Sequence, residues 1–203
     1  MASKAQAQTA QRRRPYMAVQ HETDLTRQTD VRPQRDTLLI VTNGERTERD
    51  YFEALRREPW VVVALRTKFE GGAPDDAVAR AVQIRQGDDY DKVWVVCDVD
   101  EYDVSLAIQN AEDGAVDLAL SMPSFEVWLI LHISERCPRF NNASQADEYL
   151  RRLVPSWDKT NLRFSDFKDG IADAVERAKK RGEPPEDNPS TAVWRLVETL
   201  GVK

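Results

Sequence analysis

KVWVVCDVDEYD, residues 92–103, is an apolar run that stops at Asp98 and places a second acid, Asp100, two positions on. A strand buried on both faces reads as such a continuous run. Residues two apart on a strand share a face, so both carboxylates would aim into one crevice at its carboxyl end. Two carboxylates there repel unless a cation or a proton stands between them. Hard oxygen ligands of this kind suit Mg²⁺ or Mn²⁺. The other reading of the same residues is a helix cap at Asp98 and a solvated Asp100.

Strands and helices alternate on both sides of this segment. TLLIVT, residues 37–42, reads as a buried strand, and NGERTE turns the chain. Thr47 stands where an N-cap belongs, with Asp50 three positions on, and a helix to Arg57 places Tyr51, Phe52 and Leu55 on one face. A strand over Trp60–Phe69 ends at Gly71–Gly72. A helix over Pro74–Gln86 carries Ala77, Ala81 and Ile84 at helical spacing. After the aspartates, the spacing predicts a helix over Tyr102–Asn110, a strand over Val116–Leu120 and an apolar helix over Phe125–Ile133. That helix is either wholly core or part of a dimer surface.

The alternation argues for an α/β fold, a mostly parallel sheet with helices on both faces. Such sheets bind ligands outside the carboxyl ends of their strands. Asn43, Glu48, Asp98, Asp100 and Ser121 all follow predicted strands and would gather there. Neither GxGxxG nor GxxxxGK[ST] occurs, so a dinucleotide or P-loop site has no support. From about residue 143 the pattern is helical. Ser144 is a candidate N-cap, a second helix is predicted over Phe164–Arg181, and Pro189–Ser190 opens a last one with Val193, Leu196, Val197 and Leu200 on one face.

Residues 1–36 are polar and aperiodic and read as a disordered arm, whose Arg12, Arg13 and Arg14 are either solvated or phosphate contacts. Residues 37–203 form the domain. The net charge of −6 argues against broad, non-specific binding to nucleic acid. No run approaches the length of a membrane span, and no secretory signal is expected. Cys97 and Cys137 are the only cysteines and lack CxxC spacing, which argues against zinc and against a disulfide framework. A cytoplasmic protein is the expectation.

Four segments together, LLIVTNGERTERDYF (38–52), VWVVCDVDEYD (93–103), SMPSFEVWLILH (121–132) and NPSTAVWRLVETL (188–200), resemble the RloB family, which includes AbiL-type abortive-infection proteins. The resemblance implies a Toprim-like domain similar to that of topoisomerases, primases and OLD-type nucleases, with an acidic Mg²⁺ site that makes or breaks phosphodiester bonds. It maps Asp98 and Asp100 onto the DxD of that fold and Glu48 onto the second acid of the first loop. The sequence departs from the pattern at Asn43, where the fold normally carries a glutamate. Asn cannot transfer a proton, although its carbonyl can coordinate or orient. Glu45 is either a substitute acid or a surface residue.

The third segment adds Ser121, Ser124 and Glu126. Glu126 opens a helix, where an acid is favourable with the dipole, and it is equally placed to face the cleft. His132, two turns on, reads as a core histidine before a general base. Trp128 reads as core. Lys159, in SWDKTN, reads as a surface lysine before a phosphate contact.

Two functions from different classes follow. One is a metal-dependent nuclease of a phage-defence system, with Glu48, Asp98 and Asp100 on Mg²⁺ or Mn²⁺, Glu126 completing the cluster, DNA or RNA as substrate and a partner ATPase. The other is a catalytically inactive Toprim-like module that binds a partner protein, nucleic acid or a nucleotide signal.

Overall fold

The computed structural model describes residues 35–201. The arm expected over 1–36, with Arg12, Arg13 and Arg14, falls outside these residues except for Arg35 and Asp36.

Five strands form one sheet in the order β2-β1-β3-β4-β5. These are β1 (Thr37–Thr42), β2 (Ala64–Phe69), β3 (Lys92–Asp98), β4 (Asp117–Met122) and β5 (Ser190–Thr191). The first four run parallel, and β5 closes one edge antiparallel to Ser121 and Met122. Strict alternation on the strands sorts the side chains into two cores. Leu38, Ile40, Trp94, Val96 and Ala119 face one way. Leu39, Val41, Val93, Val95, Cys97 and Leu120 face the other. This is why β1 and β3 read as unbroken apolar runs.

Helices α2 (Pro74–Gly87) and α3 (Ser105–Asp113) cover the second face, burying Ala77, Ala81, Ile84, Ala107 and Ala111. The first face is covered by α1 (Thr47–Leu55), α4 (Glu126–Ile133) and α7 (Val193–Thr199), with α5 (Ala143–Leu153) and α6 (Ile171–Lys179) in a layer beyond α4. Helix α4 also packs against α5 and α6, which explains its apolar circumference. Val127 through Leu131 are solvent-free, so this helix is core rather than a dimer surface. Each such side chain contributes about 1.5–3 kcal/mol of burial.

Several boundaries differ from expectation. The second strand starts at Ala64, because Trp60–Val63 is held by turn bonds, with Val61 N–H donating to Glu58 O and Val62 N–H to Leu200 O. Residues 164–166 and 168–170 form two 3-10 turns before α6, and Gly170 lies against the His132 backbone, where a side chain would clash. Pro189–Ser190 leads into β5, and the last helix begins only at Val193. Asn142, not Ser144, caps α5, accepting from Gln145 N–H. Thr47 is the first residue of α1 rather than its cap, and its hydroxyl donates to Lys159 O instead. No helix among the described residues is long and apolar enough to cross a membrane.

Candidate functional site

Strands β1, β3 and β4 end side by side, and the connections that follow them carry the acids. After β1 the chain turns through Asn43–Arg46, with Thr42 Oγ1 donating to Gly44 O at 3.0 Å. The first turn of α1 then brings Glu48 back over this loop. Its carboxylate lies where a Cβ on Gly44 would be. Glycine is therefore required by a close approach rather than by an unusual φ. A Gly44→Ala substitution should push Glu48 aside at little structural cost, because the obstacle is the far end of a flexible side chain. We expect divalent-metal affinity, read by calorimetry, to fall about tenfold, with stability changed by less than about 1 kcal/mol.

Asp98 ends β3, and its Oδ1 accepts the Phe125 N–H at 2.8 Å, tying the β3 terminus to the start of α4. Glu126, the first residue of α4, is 1 % exposed. Its Oε2 accepts from Ser124 Oγ at 2.6 Å, and its Oε1 pairs with Lys159 Nζ at 2.9 Å. The Lys159 loop is held over α1 by the Thr47 hydroxyl and tightened by Asp158, whose Oδ1 accepts from both Thr160 N and Thr160 Oγ1. Gly44, Glu48, Asp98 and Lys159 line one shallow cleft of about 250 Å³.

The electrostatics are those of crowded acids. Burial, with Glu126 adding repulsion, pushes Glu48 up to about 7 against the partial relief of Lys159. Burial and the charges of Glu48 and Glu126 push Asp98 well above the carboxylate range. Burial pulls the Lys159 ammonium down, but Glu126, Asp98 and Glu48 together hold it above its ordinary value. Lys159 thus supplies positive charge in direct contact with the cluster, with the exposed Arg46 lining the same cleft.

The two aspartates of the DxD do not share the cleft. The strand ends at Asp98, and Asp100 takes φ 39°, so the two-residue alternation breaks between them. Asp100 is exposed, and its Oδ1 accepts from Ala143 N–H at 3.3 Å. Glu45 is exposed at the rim. Ser121 is removed from the cleft by its 2.8 Å hydroxyl contact with Thr191. His132 is a core residue, as expected. Its Nδ1 meets Phe167 O at 2.7 Å and its Nε2 the Tyr51 hydroxyl at 3.3 Å, and burial lowers it to about 4. Cys97 is a buried thiol. Lys159 is the residue the sequence undervalued; the Asp158-x-Thr160 turn beside the anchoring Trp157 was its only local signal.

Among the described residues, no three His, Cys, Asp or Glu side chains stand where they would hold an ion as they are. The chemistry of the donors nevertheless suits a hard cation: buried carboxylates whose charge is disfavoured, and Asn43 Oδ1, a buried acceptor with no partner among the described residues. Residues 38–200 match the family model described as RloB-like protein. No curated protein and no solved structure matches the chain.

Proposed function

The chain belongs to the RloB-like family, and from that premise we propose that it is a divalent-metal-dependent nuclease of an abortive-infection system. The observation that carries this reading is the meeting of Glu48, Asp98, Glu126 and Lys159, from four separate segments, at the carboxyl edge of a Toprim-like sheet. Glu48 and Asp98 would hold Mg²⁺ or Mn²⁺, which would polarise a phosphate oxygen and lower the pKa of water, with Asp100 outside the ligand set on the Ala143 amide. Glu126, fixed by Ser124, is placed to orient the attacking water. Lys159 is half exposed and can leave Glu126 for a substrate phosphate. Asn43 contributes only its amide carbonyl. A partner ATPase would supply the restraint such an activity needs.

The test is cleavage of single-stranded DNA, duplex DNA and total RNA with Mg²⁺, with Mn²⁺ and with chelator. Metal-dependent cleavage of any one of them is expected. Silence on all three, with an ATPase partner added, favours the second reading, a binding module. Asn43 in place of an acid speaks for that alternative.

A further inference from the structure

A second feature lies at the opposite end of β4. Strand β5 pairs only with Ser121 and Met122, and Ala192 N–H donates to Leu120 O at 2.8 Å. From Asp117 to Ala119 the outer edge of β4 has no neighbouring strand among the described residues, the Leu120 carbonyl being taken by Ala192. Since Leu120 turns its carbonyl outward, backbone alternation turns the N–H and C=O of Leu118 outward too. Beside this edge opens a groove of about 330 Å³. It is lined by Trp94 from one core and by Ile108, Leu118 and Leu120 from the other. Residues of both sheet faces can line one groove only because the sheet stops there. The Trp94 Nε1 donor is buried and has no partner among the described residues.

The charges around the groove are uneven. Arg195 is already paired with Glu183 at 2.7 Å. Glu112 and Asp117 also line the groove and make no ion pair among the described residues. An open edge with unpaired backbone groups takes up an added strand. Pairing with a second copy would set Glu112 and Asp117 against acids of the same edge, which disfavours that occupant.

We propose that this edge captures an extended, basic segment of a partner protein as an added strand. An apolar side chain of that segment fills the groove between Trp94 and Ile108, and its Lys or Arg residues meet Glu112 and Asp117. The proposal does not depend on the acidic cleft.

The experiment uses the ¹⁵N-labelled full chain and two pentapeptides, Lys-Val-Lys-Leu-Lys and Glu-Val-Glu-Leu-Glu. The basic peptide should saturably shift the Leu118 and Leu120 amides and the Trp94 indole N–H. Glu112→Lys and Asp117→Lys, surface changes compatible with folding, should each weaken its binding about tenfold. Leu118→Pro, which removes an outward donor, should abolish it, and Asp98→Asn should bind as wild type. Equal binding of the acidic peptide overturns the proposal. So do shifts confined to the acidic cleft, or self-association through β4 that the basic peptide fails to displace.

Discussion

Asp98→Asn should abolish metal-dependent cleavage, by at least about 10²-fold, while leaving the fold intact. The asparagine keeps an Oδ1 to accept the Phe125 N–H, so the tie between β3 and α4 survives. What it removes is a charge that burial and two neighbouring acids already disfavour. The variant should therefore melt at or above the wild-type temperature in chelator. Asp98→Ala loses the acceptor as well and should cost about 1–3 kcal/mol for the stranded N–H. Asp100→Asn should reduce cleavage at least tenfold less than Asp98→Asn, because Asp100 stands outside the cleft on the Ala143 amide. Initial rates at saturating Mn²⁺ and melting curves in chelator check the set. Equal losses from both aspartates would show that Asp100 rotates inward when the site is loaded.

The second large effect lies in stability against pH. Glu48 rises from 4.5 to about 7 on folding. Between those values the folded state holds a proton the unfolded state has released, so stability falls as pH rises through that window. His132 moves the other way, from 6.5 to about 4. The unfolded state then binds the extra proton, and stability falls as pH drops through 6.5 toward 4. Each shift corresponds to about 3 kcal/mol. The two oppose each other between pH 4.5 and 6.5, but Asp98, also pushed up by burial and its acidic neighbours, adds to the Glu48 side, so the metal-free wild type should gain stability as pH falls through that window. Glu48→Gln removes the Glu48 contribution and leaves that of Asp98. In chelator at pH 7.5 it should melt roughly 5–10 °C above wild type. Near pH 4.5 the gain should vanish, because acidification gives wild type a stabilisation from Glu48 that the variant lacks. Mn²⁺ should raise the wild-type melting temperature at pH 7.5 and leave Glu48→Gln nearly unmoved. A variant no more stable than wild type at pH 7.5 would mean that Glu48 is not held against its charge. Both predictions describe a site that gives up stability to keep acids together, which structural acids have no reason to do.

Much of this was legible in the chain. Continuous apolar strands with helices between them can bury both faces only as a covered parallel sheet, and the acids after β1 and β3 then fall at one edge. The apolar circumference of α4 and the core position of His132 follow from burial in the same way. Local sequence could not show where loops distant in the chain come to rest. Lys159 meets Glu126 because the Thr47 hydroxyl and the Asp158 turn hold its loop over α1. Glu48 needs Gly44 because α1 folds back over its own entry loop. Asp98 and Asp100 part because the strand ends between them, a matter of one backbone φ that alternation cannot reveal. The sequence by itself determined the four parallel strands, the two covered faces and the edge at which acids collect, but not the antiparallel β5, since periodic burial is written residue by residue and a two-residue strand carries no period. Only the tertiary structure decided which acids share a cleft, which lysine neutralises them and how much of β4 is left unpaired, because those depend on contacts between segments with no fixed spacing along the chain.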